Sequence, residues 1–498
     1  MATHGKSSNL RCASLTEPEY FPSVDQCRMN QLHCCWRELC DRYLPVAPAD
    51  SVWRFSRVRG AQDLEQGWKL HLSATVLNAA TVLERVAPLL LELGVQFKAS
   101  ATLQALHHIN AGLGVGYSQV GKFMTVYPRN SEEAVALAER LHTATRGIEA
   151  PDIPYDLRYR FDSNVFYRYG AFLPMLLEGK NGRSILALRN PQGNLTPDQR
   201  TVEDSKPEWE INPFPLFKPE RTADPIDNPL KTKYRVFRAL TQRGKGGVYK
   251  ALDLRASPPR VCILKEGRKH GDLGWDGRDG SWRIQHEESV LQQLCALGVD
   301  VPRVYDSFEL EGNFYLVIEF IEGTNFQNLL DRRRRRLSVA QALYYAAEMA
   351  RVLSKIHAAG WIWRDCKPGN FLLTKQGTMR PLDFEGACPV EQPDPMGWGT
   401  PSFAPMTGQT AHIARSSQSD DLYSLGAVLF HLLTGRLPDP APQPQSSWWK
   451  LRRGVPAEVR EIVDVLLTAP PHQRPDAVTA ARQLTALLAH LKIQTAVV

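Results

Sequence analysis

The chain has 498 residues, 43% hydrophobic and 23% charged, which excludes a disordered or fibrous protein and, by length, predicts two larger domains or about three smaller ones, of which we take two. A formal charge of +7 is modest for this size, so no nucleic-acid partner is expected and phosphorylated or acidic ligands suffice to explain it. No run approaches roughly 18 apolar residues and the start MATHGKSSNL lacks the apolar core of a secretory signal, so no membrane partner is expected and the protein reads as cytoplasmic.

Residues 24–44 read as a helix rich in cysteine. The nine cysteines are an odd number in a large chain, which argues for reduced thiols. Cys12, Cys27, Cys34, Cys35 and Cys40 cluster near His33, but no CxxC pair is present, and packed helix cysteines are favoured over a zinc site. GWKLHLS (67–73) alternates as a strand, TVLNAATVLERVAPLLLEL repeats at helical spacing up to Gly94, and GKFMTVY (121–127) and NVFYRYGAF (164–172) read as further strands. This mixture predicts an α+β domain over 1–190.

Alternation along GWKLHLS puts Lys69 and His71 on one face and Trp68, Leu70 and Leu72 on the other. Lys98 in VQFKAS, Lys122 in VGKFMTVYP and Arg168 in VFYRYGAF are likewise cations set among apolar strand residues. Burying such groups is costly unless an anion is bound. Together they predict a phosphate-binding cleft.

Residues 191–231 are dense in Pro, Asp and Asn and read as an extended linker. From 232 to 490 come short strands and then long helices, the order of a small sheet lobe followed by a helical lobe.

Phosphoryl transfer rests on positioning and on neutralising phosphate charge, so a kinase needs a lysine for the phosphates, a carboxylate orienting it, two metal ligands and a base. All five occur in order. Lys265 ends the strand VCILK, and Glu287, 22 residues on, can pair with it, with Glu288 as the alternative. In WRDCKPGN (363–370), Asp365 is the expected base, Lys367 neutralises the transferring phosphate and Asn370 holds metal. Asp383 in LDFEGA is the main expected magnesium ligand, Asp421 the anchor of the catalytic loop, and Arg474 in HQRP the late arginine. This set resembles the eukaryotic-like Ser/Thr protein kinases and implies a two-lobed kinase fold using ATP and Mg2+.

Several positions depart from that pattern. TQRGKGGVYKA offers Gly244, Gly246, Gly247 and Val248 to ATP, but Thr241 and Arg243 stand where the first two glycines belong. Trp363 replaces the usual His before Arg364, and Glu385 replaces the Gly after Asp383 and Phe384. Met406 stands where the APE motif has Glu, leaving Arg474 without its expected partner. None of these removes a group expected on ATP or metal, so activity is expected. The run RRRRR (332–336) precedes a helix capped by Ser338; it reads as a solvated loop, with a docking patch for an acidic peptide as the alternative.

A second resemblance spans nearly the whole chain. GWKLHLSA, QFK, GKFMTVYP, FYRYGAF, NLTPDQRTVEDSKPEWEINPF, GGVYKALD and DFEGA are similar, in order, to segments of the class III and class IV lanthipeptide synthetases. That resemblance implies a kinase that phosphorylates Ser or Thr of a ribosomally made precursor peptide, and a lyase-like domain that eliminates the phosphate to leave dehydroamino acids. Similarity to the phosphothreonine lyases implies Lys98 as base, His71 as acid to the departing phosphate, and Lys69, Lys122 and Arg168 as its holders. The family's arginine ahead of GKFxTxYP is missing from NAGLGVGYSQV, and no zinc-binding cyclase domain follows the kinase before Val498. The resemblance therefore implies a separate cyclase, a product that is only dehydrated, or a chain cut short. Two alternatives remain: a Ser/Thr kinase, acting on some other substrate, whose N-terminal domain only binds phosphate or peptide, and a non-catalytic scaffold.

Overall fold

The structure is a computed structural model that describes residues 23–496 except 115, 179–183, 199–205, 216–227, 334–335, 395–397, 406–415 and 439–447, with side chains described from 29 to 491 apart from those of 448 and 449. The first half consists of α1 (Ser23–Tyr43), β1 (Trp53–Phe55), β2 (Gln66–Leu72), α2 (Ala79–Glu92), β3 (Gln96–Ser100), α3 (Leu103–Ala111), β4 (Met124–Tyr127), α4 (Ser131–Thr145), β5 (Leu157–Arg158) and β6 (Val165–Ala171). The strands form one sheet in the order β1-β3-β4-β2-β6-β5. Trp68, Leu70 and Leu72 of β2, with Phe97 and Val126 beside them, are buried in one core with Val82, Val86 and Leu90 of α2 and Leu137 and Leu141 of α4. The spacing of these helix positions is the period of one helical face.

The other sheet face carries the charges. Lys69 pairs with Arg168, His71 with Thr125 and Phe166, Lys98 with Thr125, and Arg158 with Phe166. Directly paired residues share a face. The register therefore gathers Lys98, His71, Lys69, Arg168 and Arg158 on one side of the sheet.

The stretch read as a linker is partly built into this domain. The strands β7 (Leu176–Glu178), β8 (Ser184–Arg189) and β9 (Leu195–Pro197) pair in sequence. Phe214 stacks on Tyr167 at 3.8 Å within the N-terminal core. Aromatic burial of that kind outweighs the local preference of a Pro-rich stretch for an open chain.

After the short α5 (Pro229–Thr232) come β10 (Tyr234–Arg243), β11 (Gly246–Asp253), β12 (Arg260–Gly267), α6 (Gly280–Ala296), β13 (Val304–Leu310) and β14 (Asn313–Glu319). These strands make a sheet in the order β10-β11-β12-β14-β13. The helical lobe comprises β15 (Thr324–Asn325), α7 (Phe326–Asp331), α8 (Val339–Ala358), β16 (Trp361–Ile362), β17 (Phe371–Leu373), β18 (Met379–Pro381), β19 (Cys388–Pro389), α9 (Gln418–Thr434), α10 (Ala457–Thr468) and α11 (Ala477–Ala496). Ser338 starts α8 with a reciprocal capping box to Gln341. Two of the arginines in the run before it, at 334 and 335, lie outside the described residues.

The expected two-lobed kinase fold behind an α+β domain is therefore observed. No helix among the described residues is long and apolar enough to cross a membrane. Of the early cysteines, Cys12 and the Cys27 side chain lie outside the described residues, Cys34 and Cys35 are exposed, and Cys40 is buried in the N-terminal core.

Two candidate active sites

In the kinase lobes, β12 delivers Lys265 and α6 delivers Glu287. The Lys265 Nζ donates to both Glu287 oxygens at 2.6 Å. Glu288 instead accepts from Ser307, so the choice between the two acids falls on Glu287. Burial acts against the ammonium, but Asp383 and then Glu287 outweigh it and hold the Lys265 pKa above its ordinary value.

The catalytic loop is hung from α9. Asp421 is fully buried and accepts from the backbone N–H of Trp363 (2.9 Å) and Arg364 (2.7 Å), and lies 2.9 Å from His357 Nε2. Asp365 then accepts from Lys367 Nζ and Asn370 Nδ2, both at 2.7 Å, and from Thr400 Oγ1 at 2.9 Å. Thr400, in the segment GTPSF, was not singled out from sequence. Trp363 fills the place of the expected His: its indole stacks on Phe384 and donates to the Asp383 carbonyl at 2.8 Å.

Asp383 Oδ1 is buried without a hydrogen-bond donor, 3.6 Å from Lys265 Nζ. Burial would raise this carboxyl, but Lys265, Lys245 and Lys367 hold it well below the carboxylate range. Glu287, Asp383 and Glu385 can each offer one oxygen to a shared ion. A buried, ionised carboxylate oxygen lacking a donor fits a hard cation such as Mg2+.

The phosphate loop differs from expectation. Gly246 and Gly247 pair with β12, and a Cβ on Gly246 would stand 1.7 Å from the Glu266 carbonyl. Val248 lies directly opposite Lys265. Gly244 is turned to the N-terminal domain instead: its N–H donates to the Ala111 carbonyl at 3.1 Å, and a Cβ would fall 1.5 Å from the Asn110 carbonyl. Lys245, next along, donates to both Glu385 oxygens at 2.6 Å. Sequence reasoning missed this lysine because no spacing rule assigns a cation there. The residue replacing the motif glycine thus has a partner in the loop. Met406 lies outside the described residues; Arg474 donates to Ser419 and stacks on Tyr423.

In the N-terminal domain three of the predicted groups, His71, Lys122 and Arg168, converge on one acid that sequence did not suggest. Asp156 enters β5, and its carboxylate is fully buried. It lies 2.5 Å from His71 Nδ1, 3.1 Å from Lys122 Nζ and 4.0 Å from Arg168 Nε. Burial would raise the Asp156 pKa, but Lys122, then His71 and Arg168, carry it below the carboxylate range. An ionised Asp156 accepts from Nδ1, which leaves His71 Nε2 for the cleft. Burial is the main cause holding the imidazole pKa down at about 3, against the opposing pull of Asp156.

Arg168 also donates to Asp198 at 2.7 Å. Lys69 Nζ donates to the Ala171 carbonyl at 2.7 Å, and its stem crosses Gly170, where a Cβ would approach to 2.8 Å. The Lys69 pKa is pushed well down by burial and then by Arg168 and Lys122. Lys98 sits 4.2 Å over the Trp53 ring; burial, then Lys122, lowers it to about 8. A lysine in that range can act as a base near neutrality. Arg158, also missed from sequence, adds a guanidinium on the same face, packed over Phe166 and donating to the Ser163 carbonyl. No arginine lies between 110 and 120; Ala111, Gly112 and Tyr117 meet the kinase small lobe instead.

Two family models match the chain one after the other. The profile of the RamC N-terminal domain matches residues 46–225, and that of the protein kinase domain matches 237–487. A probable SapB synthase of Streptomyces coelicolor is 32% identical over 399 residues, covering 77% of this chain and 42% of that protein. Serine/threonine-protein kinase F of Synechocystis is 27% identical over 268 residues, covering 49% of this chain and 53% of its own. Serine/threonine-protein kinase PknA of Mycobacterium tuberculosis is 28% identical over 284 residues, covering 51% and 62% respectively. The chain thus spans less than two thirds of each of these relatives.

Proposed function

Because the chain belongs to the protein kinase family, we propose that its two sites act in sequence, the kinase phosphorylating Ser or Thr of a peptide and the N-terminal domain eliminating the phosphate. The observation that carries this reading is the gathering of Lys69, His71, Lys98 and Arg168 on one sheet face, with Asp156 holding His71, Lys122 and Arg168 together. Similarity to a SapB synthase supports a precursor peptide as the substrate.

In the first reaction, Asp365 orients and deprotonates the substrate hydroxyl, and Lys367 meets the charge on the transferring phosphoryl group. Lys265, held by Glu287, takes the other ATP phosphates. Asp383 and Asn370 would hold Mg2+, which when bound neutralises the charge shared between the phosphates.

In the second, Lys98 Nζ removes the Cα proton of the phosphorylated residue. The electron pair forms the Cα–Cβ double bond as the Cβ–O bond breaks, and inorganic phosphate departs with a proton from His71. Phosphoserine leaves dehydroalanine and phosphothreonine leaves dehydrobutyrine. Burial favours the neutral His71 imidazole; a bound phosphate dianion favours the imidazolium, which is the form the step requires. Lys69, Lys122 and Arg168 bind the dianion, the arginine with its fork geometry.

The test is incubation with ATP, Mg2+ and a Ser/Thr-containing precursor peptide, followed by mass spectrometry. Net loss of water per modified residue is expected. Accumulation of phosphopeptide without that loss would overturn the elimination step and leave a kinase with a phosphate-binding domain.

A further inference from the structure

Between β12 and α6 the chain leaves the kinase sheet as RKHGDLGWDGRD (268–279). Trp275 in this connection packs into the N-terminal domain. It is 3% exposed and belongs to the N-terminal core, with its ring 5.3 Å from His33 and 6.0 Å from His107. Burying an indole anchors the connection firmly. Asp272, in the same connection, accepts from Arg283 through its carboxylate and its carbonyl, both at 3.0 Å, and faces His107 Nδ1 at 3.9 Å.

Arg283 lies in the first turn of α6, one helical turn ahead of Glu287 and therefore on the same face. Rotation or withdrawal of α6 would break the Glu287 contact with Lys265, on which nucleotide geometry depends. A second grip acts on the phosphate loop: Arg243 Nη1 donates to the Gly112 carbonyl at 3.0 Å, and Gly244 N–H to that of Ala111 at 3.1 Å. Arg268 lies over the Tyr117 ring, and Lys269 pairs with Glu149. The N-terminal domain thus touches the two parts of a kinase small lobe that must be in register for transfer.

We propose that the N-terminal domain is part of the phosphoryl-transfer machinery: Trp275, Asp272 and His107 are positioning residues that hold α6, and with it Glu287, in the transferring geometry. This rests on the kinase reading and not on the elimination step. It also accounts for Gly244, whose lack of a side chain lets the phosphate loop meet the Asn110–Ala111 backbone.

The experiment uses the full chain carrying Trp275→Ala, Asp272→Ala or His107→Ala, with Trp275→Phe and Asp272→Asn as conservative variants. Misplacing a reacting group by about 1 Å costs up to roughly 10²-fold. The alanine variants should therefore lose about tenfold to a hundredfold in kcat for phosphorylation, with ATP KM raised less, and the conservative pair should recover most of it. Affinity for a fluorescent ATP analogue reads the same positioning without turnover, so a wild-type chain that transfers no phosphate would overturn the kinase reading while this titration still decides the inference. His107→Ala removes a partly exposed side chain and keeps the test valid if Trp275→Ala fails to fold. Wild-type kcat, KM and nucleotide affinity in the folded variants, with only a lowered Tm, would make these residues simple anchors and overturn the proposal.

Discussion

Asp156 Oδ2 lies 2.5 Å from His71 Nδ1 in the buried heart of the N-terminal domain. Its second oxygen is 3.1 Å from Lys122. One carboxylate thus sets the imidazole's tautomer and offsets a neighbouring cation. Asp156→Asn keeps the shape but loses the charge, so Nδ1–H is no longer enforced and Lys122 loses its counter-ion. Elimination from a preformed phosphopeptide should fall by roughly 10²-fold or more, while phosphorylation is unchanged. Both are read by mass spectrometry on the same protein.

Under the proposed elimination, Lys98 supplies the pH dependence. As a base it must be neutral, and burial followed by Lys122 lowers its pKa to about 8. Below that value the ammonium dominates and elimination is slow; above it the amine dominates and the rate levels off. The kcat/KM of elimination on preformed phosphopeptide should rise with pH through about 8. Since the bound phosphate dianion favours the ammonium, the midpoint in kcat should lie higher than in kcat/KM. Lys98→Arg, permanently charged, should be inactive at every pH tested.

Much of this was legible because strands alternate. The faces of GWKLHLS followed from period alone, and the ordered kinase signatures located Lys265, Asp365, Asn370 and Asp383 without any structure. Asp156 was not legible: it lies in PYDLRYR, at the entry to a strand of two residues, too short to show a period. Its role arises from tertiary convergence of residues 85 apart in sequence. The linker reading undervalued Phe214 for a related reason, since composition reports local preference and not the Tyr167 ring waiting to be covered. Gly244 was read as an ATP contact, but its close approach is to a different domain, which no loop motif encodes.

Lys245 and Glu385 are a linked departure from the usual kinase pattern. The Lys245 ammonium is bound to Glu385, and burial's downward push on its pKa is outweighed first by Glu385 and then by Asp383. ATP phosphates entering beside Asp383 must compete with Glu385 for that lysine. Glu385→Gln weakens the competitor and should lower ATP KM severalfold. Lys245→Ala removes the cation that Glu385 holds and should lower kcat. Steady-state kinetics at varied ATP separates the two effects: kcat/KM for ATP should rise in the first variant and fall in the second, which excludes a shared folding defect.

Asp365→Asn tests the assignment of the base. The carboxylate accepts from Lys367, Asn370 and Thr400 and lies outside the Lys265–Glu287 pair that grips nucleotide. The amide can keep part of this network but cannot take the substrate proton. Phosphorylation should drop by about 10²–10⁴-fold with ATP affinity nearly unchanged. Elimination from preformed phosphopeptide should continue, which separates loss of the base from loss of fold.

Trp363 tests whether the replaced motif histidine has become structural. The indole is fully buried, stacks on Phe384 at 5.5 Å and donates to the Asp383 carbonyl at 2.8 Å. Asp383 itself has φ of 63, a left-handed backbone that needs surrounding support. Trp363→Ala removes a large side chain from a packed core and should cost about 3–5 kcal/mol in chemical denaturation, from lost burial and the residual cavity. Trp363→His restores a ring with a donor but fills less volume, so it should recover only part of that stability. If Trp363 also fixes the metal ligand, both variants should need more Mg2+ for half-maximal phosphorylation than wild type. A change in stability without a change in Mg2+ dependence would confine its role to the core, and the Asp383 backbone would then be held by Phe384 N–H donating to Glu287 at 3.0 Å.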